Sequence, residues 1–181
     1  MNIWHDASPK SISKDKFTAV VEIPKGSKIK YELDKTTGLL KMDRILYTST
    51  HYPANYGFIP RTFAEDGDPL DVLILCSETL VPLSIADCYS IGMITMEDSG
   101  AADEKIICIP FSDPVYNCYQ DLMDLPGHTF DEMAHFFTVY KNLTLVGEIY
   151  ARDHIHKSRF AASVFAENRK DLAFFNFKSY I

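Results

Sequence analysis

Residues 66–71 read DGDPLD, three carboxylates within six positions of a chain whose 25 acidic and 18 basic side chains already leave a net charge of −7. Carboxylates at i, i+2 and i+5 around a Gly-Asp-Pro bend can converge on one cavity, where their repulsion is costly unless cations sit between them. Such hard oxygen donors favour Mg2+, Mn2+ or Ca2+ over zinc. The same residues also read as an ordinary turn, since Asp-Gly and Asp-Pro are turn formers and a short acidic turn commonly precedes a buried strand. An EF-hand is excluded. Counted from Asp66, its sixth position would be Asp71 where glycine is required, and its twelfth would be Ser77.

Cations held by these acids would attract an anion, and the chain offers groups that could complete its binding. Lys30 and Glu32 share a polar strand face, and Arg44 interrupts an apolar stretch. HYPANYGFIP (51–60) brings Tyr52, Tyr56 and two prolines into a rigid connection, Lys105 follows Asp103, and Tyr140-Lys141 ends a helical segment. Each of these alone is an ordinary surface charge or packed aromatic; only convergence would make a site. There is no P-loop, no GxSxG and no HExxH, so binding of a nucleoside triphosphate by a P-loop, serine hydrolysis and zincin chemistry lack support. His154 and His156 share a side of an alternating stretch, which is weak evidence for a metal.

The elements that must carry these groups are mostly strands. FTAVVEI (17–23), KIKYELD (28–34), LLKMDRILYTS (39–49), VLILC (72–76), DCYSIGMITM (87–96) and EKIICIP (104–110) have strand patterns. VLILC is wholly apolar, as a strand buried on both faces would be. The last two are joined by the loop EDSGAAD, which carries Asp98 and Asp103. Helical spacing first appears at Phe130, Ala134 and Phe137, behind Thr129 as N-cap and with Glu132 at N3, predicting a helix over 130–142. LVGEIYA (145–151) reads as a last strand and 156–172 as a second helix. Strands that precede helices without βαβ alternation predict an α+β chain: a small antiparallel barrel or sheet with flanking helices.

With 181 residues and 46% apolar side chains, one domain spanning 1–181 is expected. The acidic balance weighs against a sequence-independent nucleic-acid binder, which must neutralise phosphates with Lys and Arg. Cys76, Cys88, Cys108 and Cys118 form no CxxC pair and read as buried free thiols. No apolar run reaches the roughly 18 residues of a membrane span, and MNIWHDASPK lacks the basic start and apolar stretch of a signal peptide. No membrane partner and a cytoplasmic location are therefore expected.

DGDPLDV, together with EIPKGSKIKYELD, the Asp-Arg pair at 43–44, YPANYGFIP, MEDSGAADEK and HFFTVYK, resembles the Mg2+-dependent family I of soluble inorganic pyrophosphatases, at bacterial length. The likeness covers about residues 17–150. It implies a five-stranded antiparallel barrel of OB type with two main helices, and hydrolysis of pyrophosphate to two phosphates by a Mg2+-activated water, with Mn2+ a possible substitute. Position by position, it implies Asp66, Asp71 and Asp103 as metal ligands, with Asp98 joining them when substrate brings further metal, and Asp68 as the base. Lys30, Arg44, Tyr56, Lys105, Tyr140 and Lys141 are implied to bind phosphate, with Glu22, Glu32 and Tyr52 supporting them. The resemblance also implies a homo-oligomer, a hexamer being usual among bacterial relatives. Some of those relatives place a second His one turn after the position of His135 and an acid soon after; here the two places hold Val139 and Asn142. Beyond residue 150 the motif match fades, and the tail LAFFNFKSYI is unusually aromatic.

Overall fold

The computed structural model describes residues 3–6, 12–13, 15–64, 67–98, 101–140 and 149–151. In chain order these form a four-residue helix α1 (Ile3–Asp6), strands β1 (Phe17–Ile23), β2 (Ile29–Leu33), β3 (Leu40–Ile45), β4 (Asn55–Phe58), β5 (Asp71–Ile74), β6 (Ile85–Asp98) and β7 (Ala101–Pro110), helix α2 (Gly127–Tyr140) and strand β8 (Ile149–Ala151). A 3-10 turn at Leu122–Asp124 precedes α2. The described chain is thus mostly β with one main helix. The helix expected over 156–172 and the aromatic tail lie outside the described residues, as do His154 and His156. Among the described residues, no helix is long and apolar enough to cross a membrane.

Pairing runs β1-β4-β5-β7-β6, and β6 pairs back onto β1, so the hydrogen bonding closes a ring of five strands with β8 added along β6. The ring departs from the antiparallel expectation at one pair, β5 with β7, which is parallel. The reason is topological: β6 intervenes in the chain and pairs antiparallel with β7, returning β7 in the direction of β5. β2 and β3 form a separate antiparallel hairpin.

Side-chain alternation sorts the ring strands into two apolar clusters. Phe17, Ala19, Val21, Val72, Ile74, Ile106 and Cys108 share one of them. Leu73, Leu75, Ile107 and Ile109 face the other, against Met133, Phe136 and Phe137 of α2. Val72, Leu73 and Ile74 are fully buried and divide between the clusters, as the wholly apolar VLILC predicts. Burying each such side chain stabilises the fold by about 1.5–3 kcal/mol. Cys76, Cys88 and Cys108 are buried free thiols, whereas Cys118, expected with them, is exposed.

Two expectations require correction. YPANYGFIP contains a strand, β4, rather than only a rigid connection. It runs so close to β1 that a Cβ on Gly57 would lie 1.8 Å from the Val20 carbonyl oxygen. Only glycine fits there. The main helix starts at Gly127, so Thr129 lies in its first turn instead of capping it, and the Thr129 N–H donates to the Pro126 carbonyl at 2.9 Å. Leu125 is held extended before Pro126, which keeps the preceding 3-10 turn from running on into α2.

Candidate active site

A cavity of about 620 Å3 opens between the β2-β3 hairpin, the ring and the end of α2. Among its lining residues are Asp68, Asp71, Asp103 and Lys105, together with Lys30, Glu32 and Tyr140. Glu22, Tyr52 and Tyr56 also line it.

The acid wall is set by strand register. Asp71 and Lys105 are partners in the parallel β5-β7 pair, and Asp103, two residues before Lys105 on β7, projects to the same side. The Lys105 ammonium sits 2.6 Å from Asp71 Oδ2, 2.9 Å from Asp103 Oδ1 and 2.9 Å from the Tyr56 hydroxyl. Tyr56, from β4, in turn donates to Asp71 Oδ2. Lys105 is 5% exposed. Burial alone would discharge it, but Asp71 and Asp103 outweigh that effect and hold its pKa up at about 12. Burial, with Asp71 beside it, pushes the Tyr56 phenol well above its usual range, so Tyr56 is a hydrogen-bond donor at neutral pH.

Asp68 stands apart from this group. The turn before it is built on Gly67, whose φ of +85° favours glycine, and is closed by hydrogen bonds from Gly67 N–H to Ala64 O and from Ala64 N–H to Asp68 O. The Asp68 carboxylate reaches across the cavity mouth to Lys35, 2.5 Å away. Two ammonium groups therefore offset repulsion among the described acids: Lys105 for Asp71 and Asp103, Lys35 for Asp68.

The placement of Lys30 and Arg44 depends on irregular strands. β2 and β3 pair Lys30 with Arg44 but Tyr31 with Met42, leaving Asp43 as an extra bulged residue. Bulges of this kind redirect side chains. The Asp43 carboxylate lies 3.4 Å from Lys30 Nζ and 3.6 Å from Arg44 Nε, and Lys30 also pairs with Glu32. Arg44 donates to the Tyr140 hydroxyl at 2.9 Å and lies 5.3 Å over its ring. Tyr140 is held by Phe136, one turn earlier on α2, whose ring stacks on it at 5.2 Å. Tyr52 reaches the Tyr140 hydroxyl at 3.4 Å.

Glu22 links ring and hairpin. A second bulge, between Val21 and Ile23 in the pairing with β4, moves the following side chains to the other cluster. Glu22 lies at that step, and its carboxylate accepts the Leu33 N–H of β2 at 2.7 Å. Burial, reinforced by the nearby charges of Asp71 and Glu32, pushes its pKa from 4.5 to about 8.

The structure thus brings together Glu22, Lys30, Glu32, Arg44, Tyr52, Tyr56, Asp68, Asp71, Asp103, Lys105 and Tyr140. Asp66 and Lys141 lie outside the described residues. Asp98, expected in a loop, ends β6 opposite Ala101, and its side chain is outside the description. Among the described residues, no group of three or more His, Cys, Asp or Glu could hold a metal ion. Asp71 and Asp103 nonetheless aim one oxygen each at a single cationic atom. Sequence reasoning missed Asp43 and Lys35. Asp43 stood inside the quoted Asp-Arg pair, while Lys35 is an unremarkable turn lysine until the fold sets it beside Asp68.

A family model for inorganic pyrophosphatase matches residues 19–173, running past residue 150, where the sequence motifs fade. A soluble inorganic pyrophosphatase of Oryza sativa subsp. indica is 50% identical over 138 residues, covering 76% of this chain and 64% of the rice protein. Soluble inorganic pyrophosphatase 2 of Chlamydomonas reinhardtii is 49% identical over 138 residues, covering 76% and 72%. This chain therefore spans somewhat under two thirds of the rice relative. Among solved structures, an inorganic pyrophosphatase from Coxiella burnetii superposes with a TM-score of 0.81 at 36% identity, covering 88% of this chain and 99% of that one. The Helicobacter pylori inorganic pyrophosphatase gives 0.80 at 38% identity, covering 85% and 94%. On the extent of the family match and the identity to these relatives, the chain belongs to the inorganic pyrophosphatase family.

Proposed function

We propose that this protein hydrolyses inorganic pyrophosphate to two orthophosphates by in-line attack of water, without a covalent enzyme intermediate. The observation that carries the reading is that one cavity is lined both by the carboxylates of Asp68, Asp71 and Asp103 and by the cationic and phenolic groups of Lys30, Lys105, Tyr56 and Tyr140, with Arg44 hydrogen-bonded to Tyr140. The family implies a divalent metal cofactor. The residues present fit one: Asp71 and Asp103 are hard oxygen donors already directed at a cation. Asp66, Asp71 and Asp103 would hold it, with Asp98 added when substrate is bound; Mg2+ is the ion proposed, Mn2+ a substitute. When bound, it supplies acidification of a water and cancellation of charge on the phosphoryl group.

The protein's own side chains supply the rest. The attacking water forms a bond to one phosphorus as the bond from that phosphorus to the bridging oxygen breaks, and its proton passes to Asp68. Charge then accumulates on the departing phosphate. Lys30, Arg44 and Lys141 meet it with charge-assisted hydrogen bonds, and Tyr140 with a neutral one. Arg44 can do so through a planar fork, in an orientation set by Asp43 and Tyr140. Lys105 and Tyr56, proposed from sequence to contact phosphate, are engaged with Asp71 in this structure, which supports a share in orienting the acids as well.

The assay is colorimetric phosphate release from pyrophosphate with Mg2+, halted by EDTA and restored by excess Mg2+. No release overturns the reading, and release that persists in EDTA removes its metal requirement. We further infer a cytoplasmic homo-oligomer, a hexamer being favoured; exposed apolar side chains such as Tyr47, Val81 and Ile85 are available for self-association, and sedimentation velocity measures it.

A further inference from the structure

Lys35 forms an ion pair to which none of these roles refers. Its ammonium lies 2.5 Å from Asp68 Oδ1, and both side chains line the cavity. The partners come from turns on separate parts of the fold. Lys35 is in the turn joining β2 to β3, where Asp34 Oδ1 accepts the Thr36 and Thr37 N–H groups and the Gly38 N–H closes onto Asp34 O at 2.7 Å. Asp68 is in the Gly67 turn that leads into β5, closed by its carbonyl on Ala64 N–H at 2.7 Å. Both backbones are braced, so the pair couples two fixed points. One is on the hairpin carrying Lys30 and Arg44; the other is on the acid wall.

The pair is open to water, the Lys35 side chain being 42% exposed and that of Asp68 66%. Ion pairs this exposed contribute little to stability. Orientation is what the contact can supply. A displacement on the order of 1 Å at a reacting group can cost about 10²-fold in rate, so a contact that directs one carboxylate oxygen bears on turnover.

We propose that Lys35 is a positioning residue: by holding Asp68 Oδ1 from across the cavity mouth, it fixes the direction in which the Asp68 carboxylate faces the attacking water. The inference rests on the reading of Asp68 as the base. Proton balance is unaffected, since the water's proton passes to Asp68 and Lys35 keeps its own.

The test uses Lys35→Met and Lys35→Arg in the full chain, each with and without Asp68→Asn. Lys35→Met should lower kcat about three- to fivefold while moving KM for pyrophosphate less than about twofold, at an unchanged melting temperature. Lys35→Arg, which can still donate to Oδ1, should recover most of the loss. In the Asp68→Asn background, Lys35→Met should change kcat by less than about twofold, because there is no base left to position. A metal-free crystal structure of Lys35→Met should show the Asp68 carboxylate turned from its direction here, with the 67–71 backbone in place. An unchanged kcat overturns the proposal, as does a raised KM at constant kcat, which would make Lys35 a substrate contact. An equal loss in the Asp68→Asn background also overturns it. If the wild type releases no phosphate, the reading of the site fails and takes this inference with it; an active wild type with an unaffected Lys35→Met variant removes the inference alone.

Discussion

Glu22→Gln isolates the cost of a buried acid at the floor of the cavity. Glu22 is 9% exposed, and its pKa is pushed from 4.5 to about 8, chiefly by burial. Below pH 4.5 the carboxyl is protonated in both folded and unfolded chains, and it contributes no pH dependence. Between 4.5 and 8 the unfolded chain releases the proton while the folded protein retains it, so stability falls as pH rises. Above 8 the loss is complete. At 1.36 kcal/mol per pH unit, the full difference is about 5 kcal/mol, of which roughly 3 kcal/mol falls between pH 6 and pH 9.

Glutamine keeps an oxygen that can accept the Leu33 N–H bond and has no proton to lose. Urea unfolding of both proteins in EDTA, at half-unit steps from pH 6 to 9, gives the difference directly. The wild type should lose about 3 kcal/mol relative to Glu22→Gln across that range, with the same m-value. Parallel stability curves would show that Glu22 is ionised in the folded protein, and the account of its burial would be wrong.

Asp68→Asn should leave metal binding nearly intact while lowering turnover by about 10²–10⁴, the span expected for a lost base; unchanged turnover removes that role. Asp71→Ala should weaken Mg2+ binding in calorimetric titration, and binding of wild-type strength would take Asp71 out of the ligand set. It should also destabilise the metal-free protein, because Lys105 loses the closer of its two carboxylates. Gly57→Ala should cost several kcal/mol in urea unfolding, because the new Cβ meets backbone at 1.8 Å rather than a side chain that could move aside. A change under about 0.5 kcal/mol would mean that β1 and β4 separate freely.

The strands with strong local patterns were legible from sequence: FTAVVEI is β1 residue for residue, and VLILC contains the doubly buried β5 core. The acids and bases of the site were legible by type. What stayed hidden depends on partners far along the chain. β4 is four residues long with a glycine inside it, and its strand character comes from its fit against β1. The bulges at Glu22 and Asp43 are offsets between strands, and no single strand encodes them. The Lys105-Asp71 contact follows from the parallel β5-β7 register, which hydrophobic alternation cannot distinguish from an antiparallel one. Lys35 and Asp68 meet across 33 residues.

The two lysines that pair with the acids of the site differ in a way that bears on how such a site can work. Lys105 is buried among its carboxylates, and parting it from them would leave an uncompensated buried charge at a cost of about 3–5 kcal/mol. Asp71 and Asp103 are therefore held in place by Lys105, and a cation bound at them as proposed would share them with it. The Lys35-Asp68 pair is exposed, and separating it costs about 1 kcal/mol or less. The site thus combines acids held by a buried ion pair, where a cation would be held, with an acid directed by an exposed one, where a proton would be taken. For the proposed reaction that division has a physical use: the strongly charged substrate meets buried, fixed electrostatics where charge must be stabilised, while Lys35 keeps the exposed Asp68 carboxylate directed without burying it.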